Sequence, residues 1–211
     1  MQFPAKSISK IKYLLQRLIS YGNLVLMDYY ILFEGGINPE NAKKFADAIS
    51  AANVDTNITT INVFFSSFGG STYYGFAIAT LIQNSKKPVN IHATNHIDSI
   101  ANVVFLSAKF VNRTSESHAK FFVHGASQEG NYDERGLNEA LSALGAENHR
   151  IGTFISENSQ LTFDQVKKKM KNGETMSAKE ALEHGYISQL VHKTIPIGAI
   201  RYDIISLPQP K

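Results

Sequence analysis

The stretch 57–83 restricts most strongly what this chain can fold into. The run Ile61-Asn62-Val63-Phe64-Phe65 is apolar except at Asn62, and Ser66-Ser67-Phe68-Gly69-Gly70-Ser71 ends it. A segment follows, 72–83, in which Phe76, Ala79 and Ile82 recur at helical spacing. A strand that is apolar at nearly every position is buried on both faces, as parallel strands covered by helices are. The same order appears on either side. An apolar run over 29–33 is closed by Glu34-Gly35-Gly36; Pro39 then opens a helix, with Asn38 as its cap and Phe45, Ala48 and Ile49 on one face. Pro88 introduces a third strand over 89–93, and a turn over 94–98 leads to a helix in which Ile100, Val103, Val104 and Ser107 repeat at helical spacing. Short strands are predicted over 110–113 and 120–123. Strands alternating with helices imply right-handed crossovers and an α/β fold.

The second half is more helical. The segment 131–158 carries Leu137, Leu141, Leu144, Ile151, Phe154 and Ile155, weakened by Gly136, Gly145 and Gly152. A short helix is expected over 164–170. Ser177-Ala178-Lys179-Glu180 reads as a capping box opening a helix that Gly185 ends, and a last strand is placed at 187–192. The reading divides the chain into a basic amphipathic start (1–27), one domain (28–195) and a proline-punctuated tail (196–211). Residues 1–27 hold Lys6, Lys10, Lys12 and Arg17 and no acidic residue.

Composition removes whole classes of function. There is no cysteine, hence no disulfide framework, thiolate nucleophile or zinc ribbon, and a reducing, cytoplasmic setting fits. The apolar runs are far shorter than the ~20 residues of a membrane-spanning helix. A net charge of +3 is too small to point to nucleic acid. No G-x-G-x-x-G or G-K-S/T phosphate loop occurs, and the sequence calls for no cofactor or metal.

Three features fall at predicted strand ends, where α/β folds place their sites. Gly69-Gly70 offers backbone N–H groups with no side chain in the way, suited to an oxyanion. Ser99 stands at a strand-to-helix turn, either as a helix cap or as a nucleophile beside the N–H of Ile100. His124 directly follows Phe121-Phe122-Val123 and could serve as a base or as a structural histidine; His96, three residues before Ser99, is its rival. Gly70 and Ser99 are 29 residues apart, and Ser99 and His124 are 25 apart.

In this order the three features resemble the Clp protease proteolytic subunit family, serine peptidases on the ββα spiral shared with crotonases. Phe65-Ser66-Ser67-Phe68-Gly69-Gly70 is similar to its strand–x-S-P-G-G–helix segment. Asp98-Ser99-Ile100-Ala101 resembles the nucleophile motif, Val123-His124 the base, and 177–188 the S-A-x-E-A-x-x-x-G segment. The resemblance spans about 29–192 and implies an α/β, ClpP/crotonase-like spiral with a handle-like helical insertion at 131–158. It also implies Ser99 and His124 as catalytic residues and the N–H groups of Gly70 and Ile100 as the oxyanion hole. The implied substrate is an unfolded polypeptide lying along a strand edge. The implied assembly is a homo-oligomeric ring, with an unfoldase ATPase as the partner that would feed it.

The sequence departs from that pattern where the family's third catalytic residue, an aspartate, would stand. Gly173 occupies the position, and Asn172 or Glu174 could orient His124 instead; Asp133 and Glu129 are further candidates. Asp98 replaces a small residue before the nucleophile, and Phe68 replaces the proline of the glycine loop. A ring-forming or peptide-binding homologue without activity is therefore the alternative function, and a crotonase-type acyl-CoA enzyme a more distant one.

Overall fold

The structure, a computed structural model, describes residues 26–206. The expected amphipathic helix at the start lies outside the described residues. Fourteen regular elements follow in order: β1 (Met27–Glu34), α1 (Pro39–Val54), β2 (Ile58–Ser67), α2 (Thr72–Gln83), β3 (Val89–Asp98), α3 (Ala101–Leu106), β4 (Arg113–Ser115), β5 (Lys120–Val123), α4 (Glu134–Glu157), α5 (Phe163–Asn172), β6 (Glu174–Ser177), α6 (Ala178–Glu183), β7 (Gln189–Leu190) and β8 (Ile200–Ile205).

They form the mixed α/β architecture that the sequence predicts. The sheet runs β6-β5-β3-β2-β1-β8, with β4 joined to β3 and β7 joined to β4. All pairs are parallel except β5 with β6. Ile31, Phe33, Ile61, Val63, Phe65 and Ile91 are fully buried or nearly so, and Phe33 meets Phe65 at 5.1 Å between ring centroids. Each such side chain contributes about 1.5–3 kcal/mol by leaving water. Asn38 caps α1 through its side-chain oxygen, which accepts from the N–H of Asn41 at 2.8 Å.

Four local expectations change. The turn predicted over 94–98 is strand, because β3 serves two partners. Its first part pairs with β4 (Ile91 with Arg113), while its end pairs with β5 (His96 with Lys120, Asp98 with Phe122). The sheet therefore forks along β3. The strand predicted at 110–113 is a 3-10 turn, Phe110–Asn112, followed by β4. A strand not read from the sequence, β6, is ordered by antiparallel pairing of Thr175 with Phe122 and Glu174 with Val123. The tail also contains β8, which continues the sheet beside β1.

Candidate active site

The turn out of β3 is where the backbone is most unusual. Ser99 has φ = +58°, the only positive φ at a non-glycine residue among the described residues. A side chain there costs about 1–2 kcal/mol, so the surroundings must impose the conformation. They do so with hydrogen bonds. The N–H of Ser99 donates to the carbonyl of Phe122 at 2.9 Å. Asn102, wholly buried in the first turn of α3, donates from Nδ2 to the carbonyls of Ile97 (3.1 Å), Ser99 (3.0 Å) and Phe122 (2.9 Å). One amide thus ties the end of β3, the elbow and the end of β5 together.

The glycine pair packs against this elbow. A Cβ on Gly69 would lie 2.6 Å from that of Ser99, and one on Gly70 would collide with the carbonyl of Ile37. Gly69 and Gly70 also have φ of +86° and +141°, which side chains rarely adopt. Ile37 donates to Gly69 O at 2.7 Å and accepts from Ser71 N at 2.8 Å. That parallel bridge leaves the N–H of Gly70 unpaired among the described residues, as is the N–H of Ile100. Unpaired main-chain donors flanking a serine turn are the kind of group from which an oxyanion hole can be built.

His124 follows β5. Its ring stacks on Phe122, with centroids 4.9 Å apart. Nδ1 lies 2.7 Å from the carbonyl oxygen of Gly125. A carbonyl only accepts, so Nδ1 carries the hydrogen and Nε2 keeps its lone pair, the tautomer a general base needs. The loop after His124 is itself held: Gly125 N–H donates to Met170 O at 3.1 Å, and Ala126 N–H to Asn148 Oδ1 at 2.7 Å.

Gly70, Ser99 and His124 line one cavity of about 400 Å³. The other residues singled out from the sequence are placed elsewhere. Glu174 accepts from Lys169 Nζ at 3.0 Å and Asn172 Nδ2 at 2.9 Å, and neither Asn172 nor Glu174 bonds to His124. Those bonds, that from Asn172 first, hold the Glu174 carboxyl below its usual range. Asp133 caps α4 by accepting from Gly136 N–H at 2.7 Å, and Glu129 is exposed. His96 faces a neighbouring cleft with Lys120 and Glu180, its ring tilted against that of Phe68 and its Nδ1 3.3 Å from Asp98 Oδ2. Asp98 lines that same cleft and not the Ser99 cavity. Its Oδ1 is buried without a partner. Burial pushes its pKa up, with His96, the Phe122 backbone and His124 opposing.

Three participants escaped the sequence reading. Asn102 sits in an otherwise apolar helix, where an asparagine is the only signal of a buried polar task. The Gly125 carbonyl has no signature in a sequence. Glu147, one of many charges on α4, turns out to line the cavity. Among the described residues, no three His, Asp or Glu side chains gather as metal ligands would, and no helix is long and apolar enough to cross a membrane.

Comparison with known proteins follows the same lines. A family model described as Clp protease matches residues 15–194. The chain is similar to the ATP-dependent Clp protease proteolytic subunit of Streptococcus mutans serotype c, with 22% identity over 169 residues, covering 79% of this chain and 86% of that protein. Its likeness to the subunit of the same name from Lactococcus lactis is also 22%, over 172 residues, covering 79% and 85%. A solved structure of a ClpP1 mutant from Listeria monocytogenes superposes with a TM-score of 0.70 at 22% identity, covering 85% of this chain and 96% of that one.

Proposed function

Since this chain belongs to the Clp protease family, we propose that it is a serine-type endopeptidase that hydrolyses unfolded polypeptides with Ser99 and His124. The observation that carries the reading is the left-handed elbow at Ser99, held in a cavity shared with His124 and Gly70. Nε2 of His124 takes the proton from Ser99 Oγ as that oxygen attacks the peptide carbonyl. The N–H groups of Gly70 and Ile100 hold the oxyanion. His124 then gives the proton to the departing amine, which leaves an acyl group on Ser99, and a water activated by the same nitrogen releases it. The carbonyl of Gly125 orients the imidazole. Glu174 and Asn172, expected in that role, would have to give up their bond to each other before either could reach it.

A carbonyl is a weaker partner for the imidazolium than a carboxylate. Replacing the orienting aspartate of a serine protease costs roughly 10⁴-fold in turnover, so slow catalysis is expected. By family likeness the protein would work in the cytoplasm as a homo-oligomeric ring fed by an unfoldase ATPase. The second reading, a ring-forming or peptide-binding homologue without activity, is favoured by the engagement of Glu174 with Lys169 and Asn172.

A fluorophosphonate probe separates the two. Labelling of folded protein that disappears in Ser99→Ala supports the peptidase. Folded wild-type protein that stays unlabelled overturns it.

A further inference from the structure

We infer that Glu147 makes this site select peptides carrying a lysine or arginine side chain beside the scissile bond. The inference rests on the peptidase reading and names its substrate class.

Glu147 lies on α4 and its side chain lines the same cavity as Ser99 and His124. The other lining residues are Gly, Ser, Thr, His, Ala, Leu and Gln, so among the described residues Glu147 is the only carboxylate there, and no lysine or arginine among them lines the cavity. Its Oε1 is buried and has no hydrogen-bond partner. Among the described residues its ion-pair partner is Arg150, with Nη2 3.4 Å from Oε1. That is longer than the ~2.7–2.9 Å of a formed charge-assisted bond. The Arg150 guanidinium is also drawn away: it lies over the Phe76 ring, 3.6 Å from the centroid, and its side chain is half exposed. The carboxylate therefore keeps unused hydrogen-bonding capacity at the wall of a cleft that partly screens it from solvent, where an incoming ammonium or guanidinium is attracted more strongly than in bulk water.

The rest of the cavity suits the same guest. Ser71, Thr72, Ser127 and Gln128 supply polar atoms along the wall, and Ala126, Ala143 and Leu144 are its apolar members. A long cationic side chain presents methylenes to the latter and its charged head to the former. A leucine side chain would shield the carboxylate from water and supply no hydrogen-bond donor to Oε1, a cost that opposes binding. A glutamate side chain would add repulsion.

The test uses the full-length protein and matched peptides that differ only in the residue flanking the cleaved bond: arginine, lysine, leucine or glutamate. Hydrolysis and protection of Ser99 from a fluorophosphonate probe are both measured. We expect the arginine and lysine peptides to exceed the leucine peptide by about tenfold in kcat/KM or in protection. We expect Glu147→Gln to reduce that ratio to near one, mainly through KM. A wild-type protein that favours leucine, or shows no preference, overturns the inference even should the variant fail to fold. So does a Glu147→Gln protein whose ratio stays within twofold of wild type. Failure of the probe to label wild-type Ser99 at all is a different result and removes the peptidase reading itself.

Discussion

The backbone N–H of Ser99 is bonded to the carbonyl of Phe122 at 2.9 Å, two residues before His124. This one bond joins the Ser99 elbow to the strand that His124 follows. It places two residues 25 positions apart in sequence within one cavity.

In the proposed mechanism Ser99 and His124 act as a unit. Ser99→Ala and His124→Ala should each lower peptide turnover by about 10³-fold or more, and the double variant should be no slower than either, because members of a unit are not additive. Steady-state kinetics on all three proteins decide this. A double variant slower by the product of the two single effects would show that the residues act separately.

Asn102 positions rather than reacts. Asn102→Ala removes a buried donor from three carbonyls, two of which keep another partner (Asn102 N–H on Ser99 O, Ser99 N–H on Phe122 O). The expected loss is about 2–3 kcal/mol of stability, seen in urea unfolding. Probe labelling of the remaining folded protein should slow, since the elbow loses its support.

Asp98 should set stability and pH response in opposite ways. Burial raises its pKa above 3.8, so the folded state holds its proton more tightly than the unfolded chain. Its contribution to stability is therefore greatest below pH 3.8 and is lost as pH rises through the raised folded value. Asp98→Asn removes a buried charge whose Oδ1 has no partner. At pH 7 it should raise the melting temperature. Calorimetry at pH 7 and pH 4 checks this, with a smaller gain expected at the lower pH.

Glu116 should govern acid unfolding. Burial pushes its pKa up, but bonds from His92, the Lys193 N–H and His192 outweigh that and hold it at about 2. This stabilisation is complete above the unfolded value of 4.5 and is lost as pH falls toward 2. His92, bonded to Glu116 at 3.0 Å, has its pKa lowered by burial, so it adds destabilisation as pH drops below 6.5. Unfolding free energy measured from pH 7 to pH 3 should fall less steeply in Glu116→Gln than in wild type, from a lower starting value.

Gly173 answers for the vacant family position. It caps α5 with φ = +66° and stands across the β5–β6 ladder from His124, with room near the Phe122 ring for a Cβ at 3.6 Å. Gly173→Asp should cost about 1 kcal/mol of stability for the left-handed backbone and raise kcat by giving the imidazolium a carboxylate. A folded variant with unchanged kcat would show that the Gly125 carbonyl alone sets the orientation.

The chain's own pattern was enough to reveal the parallel core. Ile61–Phe65 cannot be solvated on either face, and Asn38, Pro39 and Gly185 mark helix ends by local chemistry that needs no partner. The same locality singled out Gly70, Ser99 and His124 as candidates, because strand ends in an alternating βα pattern are few. Other features had no local mark. Glu174-Thr175-Met176-Ser177 becomes a strand because β5 is there to pair with it, and β3 extends past Thr94 because two different strands use its two halves. The partner of the His124 ring is a main-chain carbonyl, which every residue has and no side chain announces. Periodicity records which face of an element is dry. Only the folded chain decides which distant groups meet, since hydrogen bonds and charges act over a few ångströms of space whatever their separation in sequence.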